Sequence, residues 1–107
     1  MIEIRRYLTE EGSDPVEGWL GAMRDKRAHA ALRIRIRRLE SGNFGDCKSV
    51  GAGVLELRVD TGPGYRLYCA RHGEALVILL CGGDKRRQSA DIERAKDYWA
   101  DWKRMNK

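Results

Sequence analysis

Apolar residues recur along this chain with two different periods, and each change of period marks a change of element. Ile2-Glu3-Ile4-Arg5-Arg6-Tyr7 alternates apolar and polar side chains, as a short strand does. A polar turn from Thr9 to Ser13 leads into Asp14-Pro15-Val16-Glu17, which reads as a helix start. Asp14 can accept from the free N–H groups of the first turn, Pro15 fits the first helical position, and Glu17 completes a capping-box pattern. Val16, Trp19, Leu20 and Met23 then fall on one helical stripe. A break at Asp25-Lys26 precedes a second helix, along which Ala28, Leu32, Ile36 and Leu39 align. Arg33 to Arg37 also alternates in the manner of a strand. The flanking alanines and the longer period favour helix, with Ile34 expected on a second face against the first helix. Gly42 or Asn43 supplies a left-handed cap at its end.

Three strands are predicted next, over residues 54–60, 65–72 and 75–81. Gly62-Pro63-Gly64 forms the first turn between them and Arg71-His72-Gly73-Glu74 the second. A helix from about Ser89 to Arg104 closes the chain, with Ile92, Ala95, Trp99 and Trp102 on its apolar stripe and Ser89 as its cap. The order is β-α-α-β-β-β-α in a single domain spanning 1–107. This is an α+β architecture: a mostly antiparallel sheet, the two N-terminal helices packed on one of its faces, and a C-terminal helix.

The strand pattern also places chemistry. Alternation sends Glu56 and Arg58 to one face of their strand, and Arg66 and Tyr68 to one face of the next. For Leu57 and Leu67 to share the core face, the connecting loop must hold an odd number of residues. A five-residue loop, Asp60 to Gly64, sets Arg58 opposite Arg66 and Glu56 opposite Tyr68. It leaves Glu56 diagonal to Arg66 at roughly 7–8 Å between Cα atoms. Two neighbouring arginines repel unless an anion lies near them, and arginine offers paired hydrogen bonds to phosphate oxygens. A carboxylate among them has the chemistry of a general base. The plainer alternative is a solvated sheet face whose charges pair with one another.

Composition narrows the partner. The chain is 42% apolar and 35% charged, with net charge +5 and pI about 9.4, a balance that favours a polyanionic partner. Arg24, Lys26, Arg27, Arg33, Arg35, Arg37 and Arg38 put seven cations within fifteen residues, all but Arg24 in the second helix. They are either a solvated face or a sequence-independent surface for RNA, to which Lys48, in the loop expected before the three strands, could add. Gly82-Gly83-Asp84-Lys85 follows an apolar strand, permits close backbone approach and brings Lys85 to the sheet end; it lacks P-loop spacing. No apolar stretch approaches the roughly 18 residues of a membrane span, and the N-terminus shows no signal-peptide pattern. The cysteines, Cys47, Cys69 and Cys81, are odd in number and widely spaced, which suits a reducing cytoplasm. No metal-ligand cluster is evident and no cofactor is expected. His29 and His72 read as incidental, and the tryptophans as packing.

Taken together, Gly42-Asn43-Phe44-Gly45-Asp46, Glu56-Leu57-Arg58, Gly62-Pro63-Gly64-Tyr65-Arg66-Leu67-Tyr68 and Leu80-Cys81-Gly82-Gly83-Asp84-Lys85 resemble the addiction-module killer proteins. These are a HigB-like branch of the RelE/ParE superfamily of type II toxins, and the likeness continues through Gln88, Asp91-Ile92 and Ala95-Lys96. The resemblance implies a RelE-like, microbial RNase-like fold and a cytoplasmic toxin restrained by a cognate antitoxin. That partner is expected to be a small helix-turn-helix protein from the adjacent gene. The resemblance further implies a ribosome-dependent endoribonuclease that inhibits translation by cleaving mRNA, the ribose 2′-hydroxyl attacking the neighbouring phosphate. By position, Arg66 is similar to the arginine that stabilises the phosphorane, Glu56 to a carboxylate base, and Lys85 to a basic residue near the leaving group. Arg58 would be a second phosphate ligand, with Tyr68, Lys48, Arg33 and Arg37 completing the RNA-contacting set. No histidine or tyrosine near the C-terminus matches the general acid of several relatives, which leaves Lys85, Tyr68 or water. The alternatives are a ParE-like gyrase poison of the same fold and a non-catalytic basic RNA-binding module.

Overall fold

The chain runs β1 (Glu3–Arg6), α1 (Pro15–Ala22), α2 (Lys26–Leu39), β2 (Cys47–Gly51), β3 (Val54–Val59), β4 (Tyr65–His72), β5 (Leu76–Asp84), a 3₁₀ turn (Lys85–Arg87) and α3 (Gln88–Met105). The structure, a computed structural model, describes residues 1–107. The strands form one sheet in the order β1-β5-β4-β3-β2, antiparallel except where β1 joins β5 in parallel. The expected α+β architecture is present, with one strand more than the pattern announced. Cys47–Gly51, read as loop, pairs with β3 as an edge strand, and Gly51, Ala52 and Gly53 make the reversal with positive φ at all three residues.

Local chemistry explains the helix starts. Asp14 accepts from Glu17 N at 3.0 Å and Pro15 opens α1 as anticipated. The Glu17 carboxylate does not return to the cap; it pairs with Arg6. Asp25 caps α2 through Ala28 N at 3.1 Å. Ile34 departs from expectation: it is 49% exposed and does not pack on α1.

The sheet carries a core on each face. Val16 and Leu20 of α1 and Leu32 and Leu39 of α2 pack against Leu57, Leu67, Val77 and Leu79. On the other face Ala95, Trp99 and Trp102 of α3 cover Val54, Tyr68, Ile78 and Leu80. Each fully buried aliphatic side chain contributes about 1.5–3 kcal/mol, so neither face is dispensable.

A bulge in β5 determines what lies at its end. Tyr68 pairs with Cys81 and Cys69 with Leu79, leaving Leu80 as the extra residue. Both Leu80 and Cys81 therefore point toward α3, and the alternation beyond them is reversed. Gly82 now faces Trp19 of α1, and Gly83 faces Asp91 of α3. A Cβ at either position would overlap these side chains, so the glycine pair is what lets both elements approach.

Candidate active site

The register of β2, β3 and β4 assembles the charged set. Lys48 is opposite Glu56, Glu56 opposite Tyr68, and Arg58 opposite Arg66, across the five-residue loop deduced from alternation. Glu56 is fully buried. Its Oε2 accepts from the Tyr68 hydroxyl at 2.9 Å and from Gln88 Nε2 at 2.8 Å. Its Oε1 lies 3.7 Å from Arg66 Nε and 3.9 Å from Lys48 Nζ, and makes no hydrogen bond. Arg66 is itself only 8% exposed, and its Nε is also without a hydrogen-bond partner.

The two facing arginines are each held by a carboxylate of their own. Arg58 Nη2 lies 3.3 Å from Asp46 Oδ1, while Arg66 leans on Glu56. Separate counter-charges relieve the repulsion that their register alone would create, while Nε of both arginines stays buried and unbonded. Such groups retain unspent hydrogen-bonding capacity, which a phosphate could use.

Tyr68 is fully enclosed. Burial first, then its hydrogen bond to Glu56, pushes the phenol far above its ordinary value, with the nearby Arg66 charge opposing. It is thus a fixed donor to Glu56. Lys85 is exposed and its ammonium forms no ion pair; its N–H donates to Gly64 O at 3.1 Å, joining the 3₁₀ turn to the β3–β4 loop. Lys48 is half exposed beside Glu56.

Arg33 and Arg37 are not part of this cluster. They line a cleft with Ile4, Arg6, Leu20 and Leu79 on the sheet face covered by α1 and α2, away from Glu56. Arg35 is committed elsewhere: it donates to the carbonyls of Arg58, Phe44 and Asp46, clamping the 44–46 loop onto β3. The basic run of α2 is therefore partly structural.

Asp46 and Gln88 were not assigned roles by sequence reasoning. Both belong to the segments that carried the family resemblance, yet no periodicity marks a side chain that folds back onto a strand from a loop or a helix start. Asp91 is a third such residue, 4% exposed on Gly83; burial raises its carboxyl above the usual range, with Arg94 and Arg87 opposing. The buried Cys69 and Cys81 thiols are pushed up to about 12 and about 11, mainly by desolvation, as suits small core residues. No trio of His, Cys, Asp or Glu side chains converges for a metal, and no helix is long and apolar enough to cross a membrane.

Residues 18–99, which include every member of the Glu56 cluster, match the family described as phage derived protein Gp49-like (DUF891). The chain is also 52% identical over 95 residues to an uncharacterized protein of Haemophilus influenzae (strain ATCC 51907 / DSM 11121 / KW20 / Rd). That alignment covers 89% of this chain and 90% of the relative.

Proposed function

This chain belongs to the phage-derived Gp49-like family, and from that premise we propose that it is the toxin of a type II toxin–antitoxin system, a HigB-like relative of RelE that cleaves ribosome-bound mRNA. The observation that carries this reading is the pair of unspent groups at the site. Glu56 Oε1 and Arg66 Nε are buried 3.7 Å apart, and neither makes a hydrogen bond. A ribonucleotide entering beside Lys48 would supply what both lack, a phosphate oxygen accepting from Arg66 Nε and the ribose 2′-hydroxyl donating to Glu56 Oε1. In the reaction, Glu56 takes the proton of the 2′-hydroxyl while O2′ bonds to phosphorus. Arg66, aided by Arg58, carries the charge of the phosphorane. The bond from phosphorus to O5′ then breaks, and the exposed Lys85 ammonium gives its proton to the leaving oxygen. A 2′,3′-cyclic phosphate remains on the upstream fragment. Because Glu56 is inaccessible in the free chain, substrate must displace the Lys48 side chain to reach Oε1.

The chain would act in the cytoplasm, held in check by a small helix-turn-helix antitoxin whose acidic segment complements Lys48, Arg58, Arg66 and Lys85. A gyrase-directed toxin is the second reading, and the complete burial of Glu56 favours it: the carboxylate would then only hold Arg66 in place. Mapping 5′ ends of cellular mRNA after brief induction separates the two. Codon-phased ends that vanish in Arg66→Ala support the nuclease. Intact mRNA with broken chromosomal DNA would replace it with the gyrase reading.

A further inference from the structure

β1 accompanies β5 only as far as Leu79, so Gly82–Asp84 continue without a neighbour on that side. A cleft of about 620 Å³ opens there, between the 9–15 loop, the start of α1 and the first turns of α3. Its volume is in the range of sites for small organic ligands. Its walls include Trp19, Gly83, Arg87, Asp91, Arg94 and Tyr98.

Asp91 is the informative residue. Its side chain is 5% exposed, and Oδ1 accepts from Arg94 Nη2 at 3.3 Å, while Oδ2 makes no hydrogen bond. The absent side chain of Gly83 allows the carboxylate to lie against the β5 backbone at the cleft wall. Gly83 is also the register partner of Arg66. The cleft is thus one strand away from the arginine assigned to the scissile phosphate.

We propose that this cleft receives a guanine base of the RNA strand whose phosphate is held at Arg66. Guanine presents two adjacent donors, N1–H and the 2-amino group, beside the O6 acceptor. A carboxylate with a guanidinium at its side is the matching set. Uracil offers a single donor between acceptors, and adenine and cytosine each offer one amino group. Trp19 supplies aromatic surface for stacking, Tyr98 being already stacked on Tyr7 at 4.6 Å between ring centroids, and Arg87 a charge for a flanking phosphate. The inference rests on RNA being the substrate and adds base selection to the same site.

The test is a titration of the isotopically labelled chain with 5′-GMP, 5′-AMP, 5′-CMP and 5′-UMP, followed by NMR at the Gly83, Asp91 and Trp19 resonances. GMP is expected to bind at least tenfold more tightly than the others, and Asp91→Asn to lose that margin while keeping a folded spectrum. Should that variant unfold, inosine monophosphate on the native chain takes its place, with an expected loss of about fivefold because it lacks the 2-amino group. Equal affinity for the four nucleotides, undiminished binding of inosine monophosphate, or shifts confined to other residues would overturn the assignment. Guanine binding in a chain that cleaves no RNA supports the cleft and sinks the nuclease. Cleavage without guanine binding sinks the cleft alone.

Discussion

Gln88 donates a 2.8 Å hydrogen bond to Glu56 Oε2, tying the first turn of α3 to a carboxylate in β3. The helix is therefore part of the site it covers. Gln88→Ala would leave Oε2 to Tyr68 alone, at an expected cost of about 1–3 kcal/mol. Gln88→Glu would cost more, because it sets a second carboxylate against the first. Urea unfolding midpoints of the two variants give the comparison, and equal midpoints would show that the bond does not form.

Tyr68→Phe removes the other donor to the same oxygen. The expected loss is again about 1–3 kcal/mol. Combined with Gln88→Ala, the loss should exceed the sum of the two, since the oxygen is then buried without any donor. Additive behaviour in the double-mutant cycle would contradict a shared acceptor.

Arg66→Lys keeps the charge but loses the planar fork. Growth arrest and mRNA cleavage are expected to fall by about 10²-fold with the fold intact. Arg66→Ala should lose activity as well, with a stability cost of about 3–5 kcal/mol from the abandoned Glu56 charge. Circular dichroism alongside an arrest assay separates these effects, and full activity of the lysine variant would remove Arg66 from the chemistry.

Gly82→Ala and Gly83→Ala should each destabilise by about 1–3 kcal/mol, the first by forcing Trp19 off the sheet and the second by displacing Asp91. Gly73→Ala has open space around its Cβ, and its cost is confined to the positive φ of 69°. Thermal melts of the three variants should order accordingly.

Asp91 sets a pH dependence of definite sign. Its carboxyl is raised above the ordinary 3.8 by burial, against the attraction of Arg94 and Arg87, with Asp84 adding repulsion. The native chain therefore holds this proton more tightly than the unfolded chain, and stability from this group falls as pH rises through the folded value. Asp91→Asn is expected to be the more stable protein at pH 7. Its advantage should shrink as pH falls toward 3.8 and vanish below it. Denaturation at pH 7, 5 and 3 measures the difference, and an advantage that grows in acid would reverse the sign.

The pairing of Arg58 with Arg66 and of Glu56 with Tyr68 was legible because side chains alternate with period two and both strands keep their regular pattern. The α1 start was legible for a similar reason, since Asp14 and Pro15 act within one turn. β2 was hidden: a five-residue edge strand with a lysine, a serine and a terminal glycine has too little pattern to register. The β5 bulge was hidden too, because Leu76 to Leu80 is apolar throughout and an uninterrupted run carries no parity to break. The site inherits both blind spots. Lys48 was anticipated as part of a loop and stands in a strand, and the burial of Glu56 beneath Gln88 depends on where α3 lands. Arg33 and Arg37, expected as RNA contacts, stand on the other face of the sheet from Glu56, a separation their sequence could not announce because proximity to other cations says nothing about which sheet face a helix covers.

The parallel ladder between β1 and β5 has a bearing on how the chain is made. Glu3 has Leu76 as its register partner, so the first strand synthesised cannot dock until most of the chain exists. Contacts of such long range are closed late and slowly, and until then the N-terminal segment and the inner edge of the sheet are both unsheltered. A protein proposed to halt translation would, by this topology, reach its finished form only when its own translation is nearly over.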